Sequence, residues 1–457
     1  MTIPATDTLA DFAVSMQTKE LSPEVRTKAA VCLLDALGLG VKGGAELTAA
    51  TVRGLFSART GDGCATVWAD SASLAMLDAI LCNGVATHAH FQDDCDMTSW
   101  SHPGSMISPV ALGLAEAHGK SLDVALRALV AGYAALNWLG ADEQIGRAVV
   151  ARGLRASPTL GPVGAAVAGS VALGLDRQQT ASAIGIAADM SGGTLEPVRT
   201  GADDWRVQNG SAAWRGALAA LLGRGGVVGS PTALEGDKGF ARAFAGIEAP
   251  ERWSTPPDEA SILTVWEKAF PTLGDNIAVS LAACEISRQL PGTASITDIV
   301  VHQNAEFASY PGTSYRGPFE RRAQGMASTA FAVATALMRG EITAEVYDES
   351  LADPEMLRLV DCLRVVPEPD YEYVQGKVDV RYGGRELSAA SWDLPRTLLF
   401  RDAEQARSTF LSIVVPGRDA QQVGVLADTV LGGSVGTDVA DLRALLRPLA
   451  PVAKQQG

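Results

Sequence analysis

The sequence predicts a mostly α-helical protein in which a large helical part, made from both chain ends, is interrupted by a smaller α+β unit. From residue 8 to about 228, apolar residues recur at helical spacing in one segment after another. β-Branched residues and alternating patterns become common only after about residue 261, and helical patterns return at 420–431 and 438–449. We therefore expect a helical domain over 1–262, completed by 400–457, around an inserted α+β domain over 263–399.

The first helical segment has the clearest start signal. Ser22 is a favourable N-cap and Pro23 suits the first helical position, so a helix is predicted over 25–39. Alanine and glycine dominate several later segments, and small side chains let helix backbones approach closely. We expect a short extended segment at 65–68 and further helices at 48–57, 71–82, 106–117, 122–139, 159–175, 177–189 and 211–222.

The inserted unit combines strand and helix patterns. Alternation and β-branched residues predict its strands, while apolar residues at helical spacing predict its helices. The predicted strands are 296–302, 364–367 and 376–382, and the predicted helices are 275–290 and 328–338.

Composition and charge exclude several classes of partner. The chain has 457 residues, 47% of them hydrophobic, and a net charge of −15 at pH 7. This length allows two or three cores, and the negative charge excludes nucleic acid and anionic membrane surfaces as expected partners. Six scattered cysteines indicate reduced thiols. We find no signal peptide over 1–11 and no run of about 18 apolar residues, so we expect a cytoplasmic protein.

A polar loop at 83–104, between two apolar segments, is the strongest candidate for a functional site. Catalytic residues concentrate in loops that a rigid scaffold holds in place. Three of the five histidines in the chain occur here, together with two consecutive aspartates: His88, His90, His102, Asp93 and Asp94.

Two interpretations of His88 and His90 are open. A His-x-His pair followed by carboxylates suits zinc or iron, which would make the protein a metal hydrolase. Alternatively, His88 caps or packs against its helix, a nearby carbonyl group satisfies His90, and the aspartates line a solvated loop. No second ligand cluster with recognisable spacing follows, so we predict no metal site.

His102 has a different context. Pro103 restricts the backbone and Gly104 permits a tight turn into the next helix. The imidazole is therefore expected near a helix N-terminus, where an anionic substrate group is also favoured. A histidine beside a bound carboxylate transfers protons well near neutral pH, so His102 is the predicted acid–base group.

The order and spacing of several motifs resemble the MmgE/PrpD family. The loop contributes NGVATHA at 83–89, the aspartate pair, and HPG at 102–104. Beyond residue 271 the similarity lies in the general sequence pattern and not in individual motifs. The further matching segments are SPTLG at 157–161, LGLD at 173–176, GSAAWRG at 210–216, LEG at 234–236, GF at 239–240 and KAFP at 268–271.

The resemblance implies an architecture and a chemistry. Family members include 2-methylcitrate dehydratase, cis-aconitate decarboxylase and iminodisuccinate epimerase. The inserted unit would be a lid, and the site would lie between it and the helical domain, with no metal or organic cofactor. The expected partners are a small-molecule substrate and a second copy of the chain in a homodimer, with no nucleic acid and no membrane. We expect flat apolar faces on helices 159–175 and 211–222 to form the dimer contact.

Matching the family residue by residue implies a set of catalytic groups. His102 falls on the histidine of the family's His-Pro-Gly motif, and Lys268 falls on the lysine of its Lys-x-Tyr-Pro motif. Asp93 and Asp94 fall on its acidic pair. We predict His102, Lys268 and Asp93 as catalytic and Asp94 as substrate-binding.

Other matched positions depart from the family. Arg155 replaces a site histidine, and a segment that usually carries lysine and histidine reads Trp205, Arg206 and Gln208. Phe331 stands where a lid tyrosine is usual. We predict all five as substrate-binding, with the arginines as carboxylate clamps.

Each of these predictions has a simpler alternative. Arg155 and Arg206 could be ordinary surface arginines, Lys268 a solvated hinge residue, and Trp205 a packing residue in the pocket wall. On balance the sequence predicts a cofactor-independent lyase or isomerase acting beside a carboxylate or another electron-withdrawing group. The substitutions favour a non-standard substrate of a specialised pathway. The alternative is a non-catalytic binding protein that keeps the family scaffold.

Overall fold

The structure is a computed structural model that describes residues 4–432 and 441–451. It is mostly helical, as predicted, and its first half is a helical assembly with one short hairpin. The helices are α1 (Ala5–Met16), α2 (Pro23–Gly43), α3 (Leu47–Gly54), α4 (Met76–His88), α5 (Pro103–Ala117), α6 (Leu122–Gly140), α7 (Gln144–Ala151), α8 (Ala156–Leu173), α9 (Arg177–Asp189), α10 (Glu196–Thr200) and α11 (Trp205–Arg224). The hairpin strands are β1 (Cys64–Thr66) and β2 (Ser73–Ala75).

The helix starts follow local side-chain chemistry. Ser22 caps α2 by accepting a hydrogen bond from the Val25 backbone at 3.3 Å, and Pro23 occupies the first turn. Asp176 and Gln179 form a capping box at the start of α9. The helices predicted for these segments are therefore confirmed.

The predicted helix at 71–82 is partly wrong. Residues Ser73–Ala75 pair antiparallel with Cys64–Thr66, and the helix begins only at Met76. A turn closes the hairpin, since the Val67 backbone N–H donates to the Ala72 carbonyl at 2.8 Å. The alanines and serines of this segment suit helix and strand alike, so pairing with β1 decided the outcome.

The second half contains a four-stranded sheet in the order β4-β3-β5-β6, with β3 and β4 parallel and the other pairs antiparallel. The strands are β3 (Ile296–Asn304), β4 (Leu363–Glu368), β5 (Gly376–Tyr382) and β6 (Arg385–Ala390). The helices around it are α12 (Ile277–Ser287), α13 (Ala305–Ser309), α14 (Arg322–Ala327), α15 (Thr329–Arg339), α16 (Val346–Glu349) and α17 (Pro354–Cys362). The three predicted strands are confirmed. The fourth strand, β6, lies at an edge of the sheet, has a largely polar sequence and was not predicted.

The C-terminal helices pack against the first half of the chain. They are α18 (Ala403–Val414), α19 (Ala420–Gly432) and α20 (Leu442–Leu446). Phe410 of α18 is buried beside α2, where a Cβ on Gly38 would lie 3.5 Å from its ring. The predicted helix at 420–431 is confirmed and α18 was not predicted. The predicted helix at 438–449 begins outside the described residues.

Buried charges hold the two segments that connect the helices with the sheet unit. Lys28 of α2 pairs with Glu267, whose other carboxylate oxygen accepts a hydrogen bond from the Arg401 backbone at 3.1 Å. The Arg401 side chain pairs with Asp35 of α2 at 2.5 Å and donates to the Lys268 carbonyl at 2.9 Å. Both connecting segments are thus tied to the same helix and to each other.

Two helices, α6 and α8, are long and apolar enough to cross a membrane by length and composition. In the fold, 78% of the apolar window of α6 and 100% of that of α8 are buried inside the protein. Every residue of α8 is buried. These are core helices, and their apolar character is explained by packing against neighbouring helices.

Helices α4 and α11 cross with their backbones in direct contact. A Cβ on Gly84 of α4 would lie 2.7 Å from the Cα of Gly210 in α11 and 2.8 Å from the Ser105 carbonyl oxygen. A Cβ on Gly210 would lie 2.7 Å from the Leu81 carbonyl oxygen. Only glycine fits at this crossing, which places the end of α4 beside the start of α11.

Gly84→Ala should lower the free energy of unfolding by about 1–3 kcal/mol, because the added methyl group meets backbone atoms that cannot yield without moving a helix. Urea unfolding followed by circular dichroism measures the change. Gly54→Ala is the matched control, since a Cβ there meets no atom within 4 Å. It should be neutral or stabilise by up to about 1 kcal/mol. Equal losses in both variants would contradict the close crossing.

Candidate active site

The loop between α4 and α5 is pinned to the rest of the fold at its centre. Cys95 and Trp266 exchange backbone hydrogen bonds at 2.9 and 3.1 Å, and Asp96 and Ser101 form a second such pair. Phe91 adopts a left-handed φ of 55°, which is uncommon for an aromatic residue. The loop is therefore held in one shape, with His102 at its end as the N-cap of α5.

Backbone contacts set the tautomer of His102. Its Nδ1 lies 2.9 Å from the Asp94 carbonyl oxygen, which can only accept, so Nδ1 carries the proton. Nε2 then holds the free lone pair and accepts no hydrogen bond from the described residues. Burial lowers the pKa of His102 well below its ordinary value, and the positive charge of Lys268 adds to the effect. The imidazole is neutral at pH 7 and presents a basic nitrogen.

Asp94 holds the turn that carries His102. One of its carboxylate oxygens accepts from the Gly104 backbone at 2.7 Å, and the other accepts from the Tyr133 hydroxyl at 2.7 Å. A Cβ on Gly104 would lie 2.8 Å from the Asp94 carboxylate. Burial raises the pKa of Asp94 well above its ordinary value. Asp94 therefore positions His102 through both its side chain and its carbonyl group.

Asp93, His88 and Arg155 form a buried chain of charge-assisted hydrogen bonds. His88 Nδ1 donates to Asp93 at 2.8–2.9 Å, and its Nε2 accepts from the Arg155 guanidinium at 2.5 Å. Ser105 donates to Asp93 at 2.6 Å. Burial lowers the pKa of His88 to about 4, although Asp93 opposes this. Burial would raise the pKa of Asp93, but its interactions with His88, His102 and Lys268 outweigh it, and the pKa is lowered.

Arg155 is held on its other side by α11. One guanidinium nitrogen donates to the Trp205 carbonyl at 3.1 Å and to Gln208 Oε1 at 3.3 Å. Gln208 in turn donates to the Thr194 carbonyl at 3.0 Å. Arg155 is 3% exposed, and the orientation of its charge is fixed by these contacts. Gln208 acts here as a positioning residue.

His102 and Arg155 line a small cavity with a volume of about 40 Å³. Its walls come from both halves of the chain. The loop and the helices contribute Phe91, Cys95, His102 and Arg155, and the sheet unit contributes Asp275, Phe307 and Tyr310. A neutral base, a fixed cation and a carboxyl group therefore share one small space.

Lys268 is fully buried just outside this cavity. Its ammonium group lies 5.7 Å from the centre of the Phe91 ring and donates to the Thr272 carbonyl at 3.3 Å. Arg401 holds its backbone carbonyl. Lys268 thus contributes positive charge from behind Phe91 rather than from the cavity wall.

The sequence matches the family profile described as the MmgE/PrpD N-terminal domain over residues 7–252, more than half of the chain. The chain belongs to the MmgE/PrpD family. The resemblance seen in the sequence motifs is thereby confirmed.

One curated protein with a sequence similar to this MmgE/PrpD chain is the cis-aconitate decarboxylase-like protein oryM of Aspergillus oryzae. The two are 28% identical over 290 residues, which is 60% of this chain and 58% of that protein. The chain therefore matches less than two thirds of the relative's length.

Five of the six residues predicted to bind substrate lie outside the cavity wall: Asp94 and Gln208, whose positioning contacts are given above, and Trp205, Arg206 and Phe331. Trp205 is fully buried and stacks on Phe91 with ring centres 3.7 Å apart. Arg206 donates to the Ala89 carbonyl at 2.9 Å and pairs with Asp203. Phe331 is fully buried in the hydrophobic cluster of the sheet unit, 5.0 Å from Phe319 between ring centres. Trp205 therefore supports the wall through Phe91, whereas the given contacts of Arg206 and Phe331 are with residues that do not line the cavity.

The metal alternative has no support in the positions of His88 and His90. Both ring nitrogens of His88 are engaged, by Asp93 and Arg155. His90 lies elsewhere, with Nε2 3.7 Å from Glu46, and its Nδ1 is buried without a partner. Over residues 4–432 and 441–451, no three His, Cys, Asp or Glu side chains group closely enough to hold a metal ion.

Sequence reasoning missed two polar residues of the cavity. Asp275 follows the KAFP segment by a few residues and was predicted only as the first residue of the helix at 275–290. No motif marked it as a site residue. Tyr310 follows the short helix α13 in a loop with no recognisable pattern. The role of His88 was likewise underrated, because its partner Arg155 is 67 residues away.

His90 should make the protein less stable in mild acid. Burial, assisted by Lys42, lowers its pKa from 6.5 to about 3, so below pH 6.5 the unfolded chain binds a proton that the folded chain does not. Stability contributed by this residue is therefore lost as pH falls. Between pH 7 and 4.5, wild type should lose about 1–2 kcal/mol relative to His90→Gln. Urea unfolding at four pH values measures this, and parallel curves for the two proteins would contradict it.

Proposed function

We propose that this MmgE/PrpD protein is a lyase of the dehydratase or decarboxylase type that acts beside a carboxylate or carbonyl group of its substrate. The observation that carries the proposal is the pairing of a neutral His102, with its basic Nε2 free, and a fixed Arg155 in one cavity. A base and a cation in one cavity suit proton removal from an acidic carbon. The name of the A. oryzae relative agrees with this reaction class.

In the proposed reaction, Arg155 binds the carboxylate or carbonyl oxygen of the substrate. His102 Nε2 removes a proton from the adjacent carbon, and the electron pair of the C–H bond moves toward the group that Arg155 holds. Arg155 stabilises the negative charge that develops there, and Lys268 adds positive charge from behind Phe91. The lowered pKa of His102 keeps the base unprotonated at neutral pH. This chemistry needs no metal or organic cofactor.

The charge of the cavity supports a substrate with few negative charges. Among the described residues that line it, Arg155 is the one fixed cation, and Lys268 is not one of the lining residues. Each further carboxylate would be desolvated without a matching donor, which costs several kcal/mol. We therefore propose a small mono- or dicarboxylic acid or thioester-like substrate of a specialised pathway.

We also propose a role for residues 263–399 and an oligomeric state for the protein. We propose that residues 263–399 form a lid, since Asp275, Phe307 and Tyr310 close the cavity from that side. A cytoplasmic homodimer is also proposed, although the helix faces expected to form it are buried within the chain: α8 is fully buried and packs on α11. A dimer contact would have to use another surface.

His102→Asn should lower turnover at least ~100-fold, the usual effect of removing an acid–base group, with little change in melting temperature. The assay incubates 3-hydroxybutyrate, malate, 2-methylcitrate and cis-aconitate separately in D2O and follows C–H exchange and new vinyl signals by proton NMR. His118→Asn is the matched control, because His118 also donates from Nδ1 to a backbone carbonyl, at 3.1 Å, but lies outside the cavity. Binding without turnover in wild type would favour the non-catalytic alternative.

The two tricarboxylates, cis-aconitate and 2-methylcitrate, should be poor substrates. Losing two charge-assisted hydrogen bonds at roughly 1.5–3 kcal/mol each lowers kcat/KM by about 10²- to 10⁴-fold, allowing for non-additivity. Double-bond absorbance and released carbon dioxide report the reaction at millimolar substrate. A kcat/KM above ~10⁴ M⁻¹ s⁻¹ for either acid would refute this view of the cavity.

A further inference from the structure

Asp275 occupies a rigid position on the cavity wall. It belongs to the turn Gly274–Asn276 that precedes α12. Its carbonyl accepts a hydrogen bond from Gln303 at 2.7 Å, and the neighbouring Asn276 side chain donates to the Ala327 carbonyl at 3.1 Å. These bonds connect the turn to β3 and α14, so the backbone that carries the Asp275 side chain is held in place.

This turn also lies directly against the loop that carries His102. A Cβ on Gly274 would lie 3.0 Å from the sulfur of Cys95, and that sulfur lies 3.5 Å from Nδ1 of His102. Asp275 and His102 both line the cavity, as does Arg155. The carboxyl group of Asp275 and the imidazole of His102 therefore line the same cavity, where one molecule can contact both.

The carboxyl group of Asp275 is free to act on a ligand. It forms no ion pair and accepts no side-chain hydrogen bond among residues 4–432 and 441–451. The titratable groups around it are Lys268 on the preceding segment, Tyr310 on the loop after α13, Cys95, and the two cavity residues His102 and Arg155. Burial raises the pKa of Asp275 to about 7, against the opposing effects of its own backbone N–H and of Lys268.

We propose that Asp275 is a second catalytic residue, the proton donor that works with the base His102 in the reaction proposed above. Arg155 binds the carboxylate end of the substrate, and the protonated Asp275 faces the departing group. A protonated carboxyl group donates its proton to a hydroxyl, which then leaves as water, so the departing group is expected to be a hydroxyl. The inference rests on the proposed function and narrows it to dehydration of a hydroxy acid.

The step balances as an elimination of water. His102 Nε2 takes the proton from the carbon beside the carboxylate, and the C–H electron pair first moves into the carboxylate group that Arg155 holds, which permits exchange of that proton with solvent. The pair then returns to form the new C=C bond. The C–O bond to the neighbouring carbon breaks as the proton of Asp275 moves to that oxygen, which leaves as water. His102 ends protonated and Asp275 ionised, and exchange with solvent restores both. A carboxyl group with a pKa near the working pH suits this role.

The test compares Asp275→Asn with wild type by two readouts. In D2O with 3-hydroxybutyrate or malate, the variant should keep His102-dependent C–H exchange and lose net formation of the unsaturated acid at least ~100-fold. In wild type, kcat should fall as pH rises above about 7, because the protonated carboxyl group is the active form. That fall should be absent in the residual activity of Asp275→Asn and present in Asp275→Glu. Asp393→Asn, an exposed carboxylate of the same unit, is the matched control.

Difference infrared spectroscopy of the protein alone supplies a readout that needs no substrate. A protonated-carboxyl band that titrates near pH 7 should be present in wild type and Asp393→Asn and absent in Asp275→Asn, while the band of Asp35, whose pKa burial raises to about 6, should remain in all three proteins. Absence of that band from wild type, unchanged water elimination in Asp275→Asn, or equal loss of exchange and elimination would each overturn the role of Asp275. If wild type and His102→Asn show no exchange with any acid while the band titrates, the proposed function has failed, and the donor role falls with it.

Discussion

The site depends on two consecutive buried aspartates that do different work. Asp93 accepts from His88 and Ser105 and keeps a pKa below its ordinary value, so it supplies a fixed negative charge. Asp94 accepts from Gly104 and Tyr133 and keeps a raised pKa. Adjacent carboxylates repel when both are ionised in a buried site, and this division of partners lets them lie side by side. One orients the cation of the cavity and the other orients its base.

The buried charge of Arg155 is compensated within this arrangement. A buried guanidinium needs acceptors on most of its donors, and here a neutral His88 nitrogen, the Trp205 carbonyl and Gln208 provide them. His88 can accept only because Asp93 holds its other nitrogen as the donor. Arg155 is therefore a fixed cation that leaves no unpaired charge in the core.

Sequence patterns predicted most of the helices, three of four main-sheet strands, and the loop that carries the site. They succeeded where the signal is local, as in the capped start of α2 and the proline and glycine after His102. They failed where distant contacts decide. The strand Ser73–Ala75 exists because β1 pairs with it, and Trp205, Arg206 and Phe331 lie behind the cavity because of how α11 and α15 pack. Asp275 and Tyr310 reach the cavity only through the docking of the sheet unit.

The position of Lys268 shows how the fold and the site are coupled. Lys28 and Glu267, together with Arg401 and Asp35, form a buried cluster where both connecting segments meet α2. Buried ion pairs contribute little net stability, but removing one partner is costly, so such a cluster fixes geometry. Arg401 also binds the Lys268 carbonyl. The cation behind Phe91 is thus held by the connection between the two parts of the chain, and the charge that His102 experiences depends on how those parts are joined.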